Sequence, residues 1–168
     1  MDTKTLNATI NAVCVHLRNF FVIPNQRIAG SFVLNNGKIN LSKDMKVGQW
    51  IYIEPTGEHT EAVGSYRIIA KTGRKGYTYT LDGLEGVSDT WRGIIYGQRI
   101  PHEFILLCER IAAWEAENAP SNLLSENVAN FYSMTFATGE DGLPNRAMVV
   151  FKKDLARFNR QMATGVKY

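Results

Sequence analysis

The sequence predicts an α+β fold in which a three-helix scaffold carries a small antiparallel β-module, sandwich-like or barrel-like, inserted between helix 1 and helix 2. Near both ends of the chain, apolar residues recur at spacings of three and four, the period of a helix with one buried face. Between residues 27 and 99, short β-rich segments alternate with glycine-containing turns. We therefore expect a single domain over 1–168, with a β-module at 27–99 and a helical scaffold formed by 1–24 plus 100–162.

Composition narrows the class of protein. Hydrophobic residues make up 45% and charged residues 21% of the chain, close to the averages for soluble globular proteins. These values exclude a disordered chain and a disulfide-stapled miniprotein. A membrane-spanning helix needs about 20 consecutive apolar residues, far more than any run in this sequence, so we expect no membrane association. The net charge of +3 is too weak to indicate nucleic-acid binding by itself.

The first predicted helix covers residues 3–22. Leu6, Ile10, Val13 and Leu17 lie on one face at helical spacing. Pro24 ends the helix, because the residue before a proline is pushed out of the helical region. A helix with one apolar face needs a partner to cover it.

The β-module follows as a series of short strands. Asn35-Asn36-Gly37 predicts a tight hairpin turn, because Asn and Gly tolerate the positive φ that such turns require. Tyr77, Tyr79 and Leu81 alternate with threonines, which is typical of a strand with one buried face. The predicted strands are 28–34, 38–41, 49–54, 64–71, 77–82 and 91–97.

Two further helices and an irregular arm complete the chain. Pro101 opens the second helix, and a third runs from about Pro144 to Met162. Between them, the polar arm 121–143 contains an apolar stretch that either packs under the helices or docks on another subunit, since exposed aromatic and Met clusters mark interfaces. The candidate interface residues, including two from the third helix and the basic tail, are Phe131, Tyr132, Met134, Phe136, Phe158 and Arg160.

Candidate chemistry is sparse. The three histidines have no second His or Cys at a ligand spacing, so we predict no metal site and no cofactor. Cys14 and Cys108 sit in apolar helical patterns, which predicts reduced, buried thiols. The chain has no nucleophile elbow and no phosphate-binding loop followed by a helix. We therefore predict no catalytic residues and no enzyme activity.

The hairpin at residues 71–79 supports an alternative function. Lys71, Arg74 and Lys75 lie near its tip beside Tyr77. Small β-barrels bind single strands by stacking bases on aromatic rings in a basic groove, so these four residues are candidate nucleic-acid contacts. The other interpretation is that the tyrosines pack the β-module and the lysines keep the tip soluble.

Several short motifs follow one another along the chain. They are Phe20-Phe21, Gly48-Gln49-Trp50-Ile51, Trp91-Arg92-Gly93, Ile100-Pro101, Ile111 to Trp114, Ser125-Glu126, Tyr132-Ser133 and the basic stretch Leu155 to Arg160. In this ordered set the chain resembles the small head–tail connector (neck or adaptor) proteins of tailed bacteriophages and prophages of Gram-positive hosts.

This resemblance implies a structural virion protein without catalysis. Such proteins assemble below the portal as a homo-oligomeric ring of about a dozen copies, which needs a heterologous interface repeated around a closing rotation. The ring contacts the portal protein and the next neck or tail component, and it extends the channel through which DNA passes without sequence-specific binding. The implied location is the virion neck, and the host cytoplasm during assembly. A modest net charge suits a channel in which DNA must slide.

Overall fold

The structure is a computed structural model that describes residues 2–57, 60–73, 76–118 and 145–159. Six strands and four helices occur in these ranges. The strands are β1 (Val22–Asn35), β2 (Lys38–Leu41), β3 (Trp50–Pro55), β4 (Gly64–Thr72), β5 (Tyr77–Leu81) and β6 (Asp89–Gln98). The helices are α1 (Thr3–Leu17), α2 (His102–Glu117), α3 (Asn145–Val150) and α4 (Lys152–Ala156).

The strands form a closed antiparallel barrel in the order β1-β2-β5-β4-β3-β6. Closure depends on β6, which pairs with β1 on one side and with β3 on the other. The predicted three-helix scaffold carrying a small β-module is therefore wrong, because the barrel is the centre of the fold and the helices are additions to it.

Two element boundaries also differ from the prediction. The first strand begins at Val22, six residues before its predicted start, because its pairing with β6 extends past Pro24. Val22 pairs with Gln98, the register then shifts, and regular pairing resumes at Arg27 and Tyr96. A proline in a strand is tolerated at such irregular positions. The predicted third helix is interrupted at Phe151, which leaves only the two short helices α3 and α4.

The barrel interior is one hydrophobic core. Along β3, Ile51 and Ile53 point inward and are fully buried, whereas Trp50 and Tyr52 point outward, as strand alternation requires. Tyr79 is also fully buried, and its hydroxyl accepts a hydrogen bond from the Met45 N–H at 2.9 Å and donates one to the Lys43 carbonyl at 2.9 Å. The tyrosine thus fixes the β2–β3 connection from inside the barrel.

A second core lies between the helices and the outside of the barrel. The outward-facing Trp50 belongs to this helical core, and Phe104 of α2 is fully buried in it. The other buried members are Ile10, Val13, Cys14, Leu17, Ile100, Leu107, Cys108, Ile111, Ala147, Met148, Phe151 and Leu155. Within the described ranges, no helix combines the length and the hydropathy needed to traverse a bilayer.

Candidate functional site

An aromatic cleft opens where the end of α1 meets the outer face of the barrel. Its volume is about 430 Å³. Phe20 and Phe21 contribute from the connection between α1 and β1, and Tyr52 and Tyr96 contribute from neighbouring strands. The remaining lining residues are Arg18, Asn19, Val22, Pro24 and Glu54.

The backbone that shapes the aromatic cleft is strained. Arg18 (φ 51°) and Phe21 (φ 49°) both adopt the left-handed conformation, which is unfavourable for bulky residues. Asn19 holds the segment between them, because its Nδ2 donates to the Phe158 carbonyl at 2.8 Å and its Oδ1 accepts from the Phe21 N–H at 3.2 Å. The α1–β1 connection is therefore held against the segment that follows α4, and its two phenylalanine rings pack in different places.

Phe20 and Phe21 have separate roles. The Phe21 ring packs in the helical core, 4.8 Å from Phe104 and 6.3 Å from Phe158 between ring centroids. The Phe20 ring instead lies 4.4 Å from the ring of Tyr52, which in turn stacks on Tyr96 at 6.3 Å. Phe20, Tyr52 and Tyr96 therefore form one aromatic row on the outside of the barrel.

The aromatic cleft combines aromatic rings with a phenol hydroxyl and two charged side chains. Burial, assisted by the negative charge of Glu54, raises the pKa of Tyr52 to about 12, so its phenol stays neutral at physiological pH. The cleft therefore offers apolar ring faces and a neutral hydroxyl, with the opposite charges of Arg18 and Glu54 beside them. Across the described part of the chain, no group of three or more His, Cys, Asp or Glu residues is placed to hold a metal ion.

A second exposed apolar feature lies on the short helix α3. Ala147 and Met148 face the helical core, whereas the next two residues, Val149 and Val150, are 64% and 57% exposed. We call these two residues the valine pair. These two adjacent exposed side chains form a small apolar surface on α3.

Three of the predicted contact residues lie in the described part of the chain: Lys71, Tyr77 and Phe158. Lys71 forms an ion pair with Asp44 and lies 4.2 Å from the centre of the Tyr77 ring, which packs partly against the barrel core. Phe158 is half-buried, and its ring lies 5.1 Å from that of Phe104, so it packs within its own chain. Tyr79 is buried and hydrogen-bonded inside the barrel, whereas Tyr77 is only partly buried. Tyr77 is therefore the more exposed tyrosine of β5.

The other predicted contacts lie outside the described residues. They are Arg74, Lys75, Phe131, Tyr132, Met134, Phe136 and Arg160. Both the nucleic-acid hypothesis for the hairpin and the interface hypothesis for the arm therefore stay predictions. Sequence reasoning missed the aromatic row, although the alternation of Trp50, Tyr52 and Glu54 along β3 was a signal for an outward-facing aromatic surface.

The two cysteines are free and fully buried, which confirms the prediction made for them. Burial raises the pKa of Cys14 to about 12 and also raises that of Cys108. Because an unfolded thiol ionises near pH 8.5, the neutral thiols stabilise the folded state fully below that pH, and this contribution is lost as the pH rises toward 12.

We therefore expect the free energy of unfolding, measured in urea between pH 7 and 11, to fall above about pH 8.5. The variant Cys14→Ala should show a shallower fall, because one of the titrating thiols is gone. An unchanged slope in Cys14→Ala would show that its thiol does not contribute.

Comparison of the chain with protein-family models, with curated proteins and with solved structures finds no match.

Proposed function

We propose that this protein is a structural subunit of the head–tail connector of a tailed phage or prophage, assembling as a ring below the portal and extending the DNA channel. The ordered motifs that resemble connector proteins support this proposal. Most of them meet in or against the helical core, although they are far apart in sequence. These residues are Phe20, Phe21, Trp50, Ile100, Ile111, Trp114 and Leu155.

The observation that carries the proposal is the presence of two unlike apolar surfaces on one chain. A ring requires a heterologous interface, in which one surface of each subunit contacts a different surface of the next. The valine pair on α3 is an exposed aliphatic surface, and the aromatic cleft is a concave one. Valine side chains seated on the rings of Tyr52 and Tyr96 would bury both surfaces.

The charges beside the aromatic cleft would fix the orientation of this contact. Arg18 and Glu54 flank the aromatic row with opposite signs. Charged groups at the rim of an interface fix its register and exclude wrong partners more than they raise affinity. In this proposal, the portal protein and the next neck component contact the two ends of the ring, in the virion neck.

The double substitution Val149→Lys/Val150→Lys tests this contact. Burying one valine contributes about 1.5 kcal/mol, so losing two should weaken self-association at least about a hundredfold. Light scattering should then show a much lower mass than the wild-type protein at the same concentration.

Val33→Lys is the matched control, because Val33 is 62% exposed but stands on the barrel at β1. It should assemble like the wild-type protein, and circular dichroism should show that all variants are folded. Assembly of Val149→Lys/Val150→Lys at wild-type affinity would contradict the proposed contact.

A further inference from the structure

A second cleft, separate from the aromatic cleft, lies between α1 and the barrel and has a volume of about 520 Å³. Small residues on both sides create this space: Ala8 and Ala12 on α1, and Gly64 and Gly83 on the barrel. We call it the amide cleft, because Asn7 and Asn11 are among its lining residues.

Three residues that line the amide cleft each carry a buried oxygen without a hydrogen-bond partner: Asn7 Oδ1, Asn11 Oδ1 and Ser65 Oγ. Asn7 is 5% exposed and Ser65 is 1% exposed, so bulk water does not supply the missing hydrogen bonds. Buried polar groups in folded proteins almost always have a partner, and leaving one unpaired is destabilising. Three such oxygens in one cleft indicate an occupant that supplies hydrogen-bond donors.

The orientation of Asn7 is fixed. Its Nδ2 donates to the Asp82 carbonyl at 3.0 Å, so its Oδ1 is the amide atom left as an acceptor without a partner. Gly83 makes room for this arrangement, because a Cβ at that position would lie 2.9 Å from Nδ2. Gly64 similarly sits beside Asn11, whose Cγ would be 3.5 Å from an added Cβ.

We propose that the amide cleft binds an aliphatic primary amine in its ammonium form. An ammonium group carries three N–H donors and no acceptor, which matches the three unpaired oxygens. The aliphatic walls at Ala8, Ala12 and Val63 suit a methylene chain, and the carboxylate of Glu61 lies among the lining residues. A carboxylate ligand brings only acceptors, which cannot pair with the carboxamide oxygens of Asn7 and Asn11, and a quaternary ammonium has no N–H to donate.

This binding does not depend on the proposed connector role, and it is tested on the full chain by titration of the ¹⁵N-labelled protein. The probe is n-butylammonium chloride, compared with 1-butanol and tetramethylammonium chloride at equal ionic strength. We expect saturable shifts at Asn7, Asn11 and Ser65 with a Kd of about 1–10 mM for butylammonium alone. No saturable shift, or equal shifts with butanol or tetramethylammonium, would overturn the proposal.

Two variants sharpen the test. Ser65→Ala removes an unpaired hydroxyl, and we expect it to weaken butylammonium binding about tenfold without unfolding the protein. Ser31→Ala makes the same change at an exposed position on β1 and should bind like the wild-type protein. Ala12→Leu fills the cleft from the helix side and should abolish the shifts. Wild-type affinity in both Ser65→Ala and Ala12→Leu would overturn the assignment.

The titration also separates two sources of the amine. A free small-molecule amine leaves the oligomeric mass unchanged when butylammonium saturates the cleft. A lysine side chain from a neighbouring copy would be displaced, and the mass measured by light scattering would fall.

Discussion

Replacing Gly93 with alanine is expected to lower the free energy of unfolding by about 3 kcal/mol. Gly93 lies on β6 inside the barrel, opposite Pro55 of β3. An added Cβ would lie 2.3 Å from the Glu54 carbonyl oxygen and 2.9 Å from the Pro55 Cα. Both are backbone atoms held by the β3–β6 ladder, so the clash cannot be relieved by moving a side chain.

Gly30→Ala is a matched control for this prediction. Gly30 is the direct partner of Gly93 across the β1–β6 ladder, but an added Cβ there meets no atom within 4 Å. Urea unfolding should therefore place Gly30→Ala within about 0.5 kcal/mol of the wild-type protein. Equal stability losses in the two variants would mean that the barrel does not close through β6 as described.

The second large effect is expected for Phe104→Ala, which should cost about 3–5 kcal/mol in unfolding free energy. Phe104 is fully buried, and its ring contacts those of Phe21 and Phe158 at centroid distances of 4.8 and 5.1 Å. Removing it leaves a cavity where α2, the segment that follows α4 and the α1–β1 connection meet. The helical core then loses the ring that joins all three segments.

Leu106→Ala provides the control on the same helix. Leu106 is 45% exposed, so its truncation should cost about 1 kcal/mol or less in the same urea experiment. If Leu106→Ala destabilised the protein as much as Phe104→Ala, the orientation of α2 against the barrel would be wrong.

Local pattern predicted much of the strand content. The hairpin at 35–37 has positive φ at Asn36 (49°) and Gly37 (73°), as expected from its sequence, and β2 spans the predicted residues 38–41. The second helix follows Pro101 as predicted. These features depend on interactions between residues close in sequence, which a single sequence records directly.

Closure of the barrel could not be predicted from local sequence pattern. It depends on pairing between β1 and β6, about 60 residues apart, and neither strand carries a signal for its partner. The first helix also ends at Leu17 rather than at residue 22, because the backbone turns into the left-handed region at Arg18. Phe20 and Phe21 fit the helical spacing, so their apolar pattern favoured a longer helix.

The candidate sites, like barrel closure, depend on contacts between residues that are far apart in sequence. An aromatic row made from Phe20, Tyr52 and Tyr96 exists only because the α1–β1 connection folds onto the β3–β6 ladder. Likewise, the amide cleft combines residues of α1 with Ser65 of β4. Alternation along β3 indicated which side chains point outward, but not which distant segment would lie beside them.

Absolute mass by light scattering, measured over a wide concentration range, tests the connector proposal most directly. The resemblance to ring-forming neck proteins predicts about twelve copies of the 18.9 kDa chain, or roughly 230 kDa. A monomeric mass at every concentration, in a protein that circular dichroism shows to be folded, would contradict a chain that builds a ring through its own surfaces.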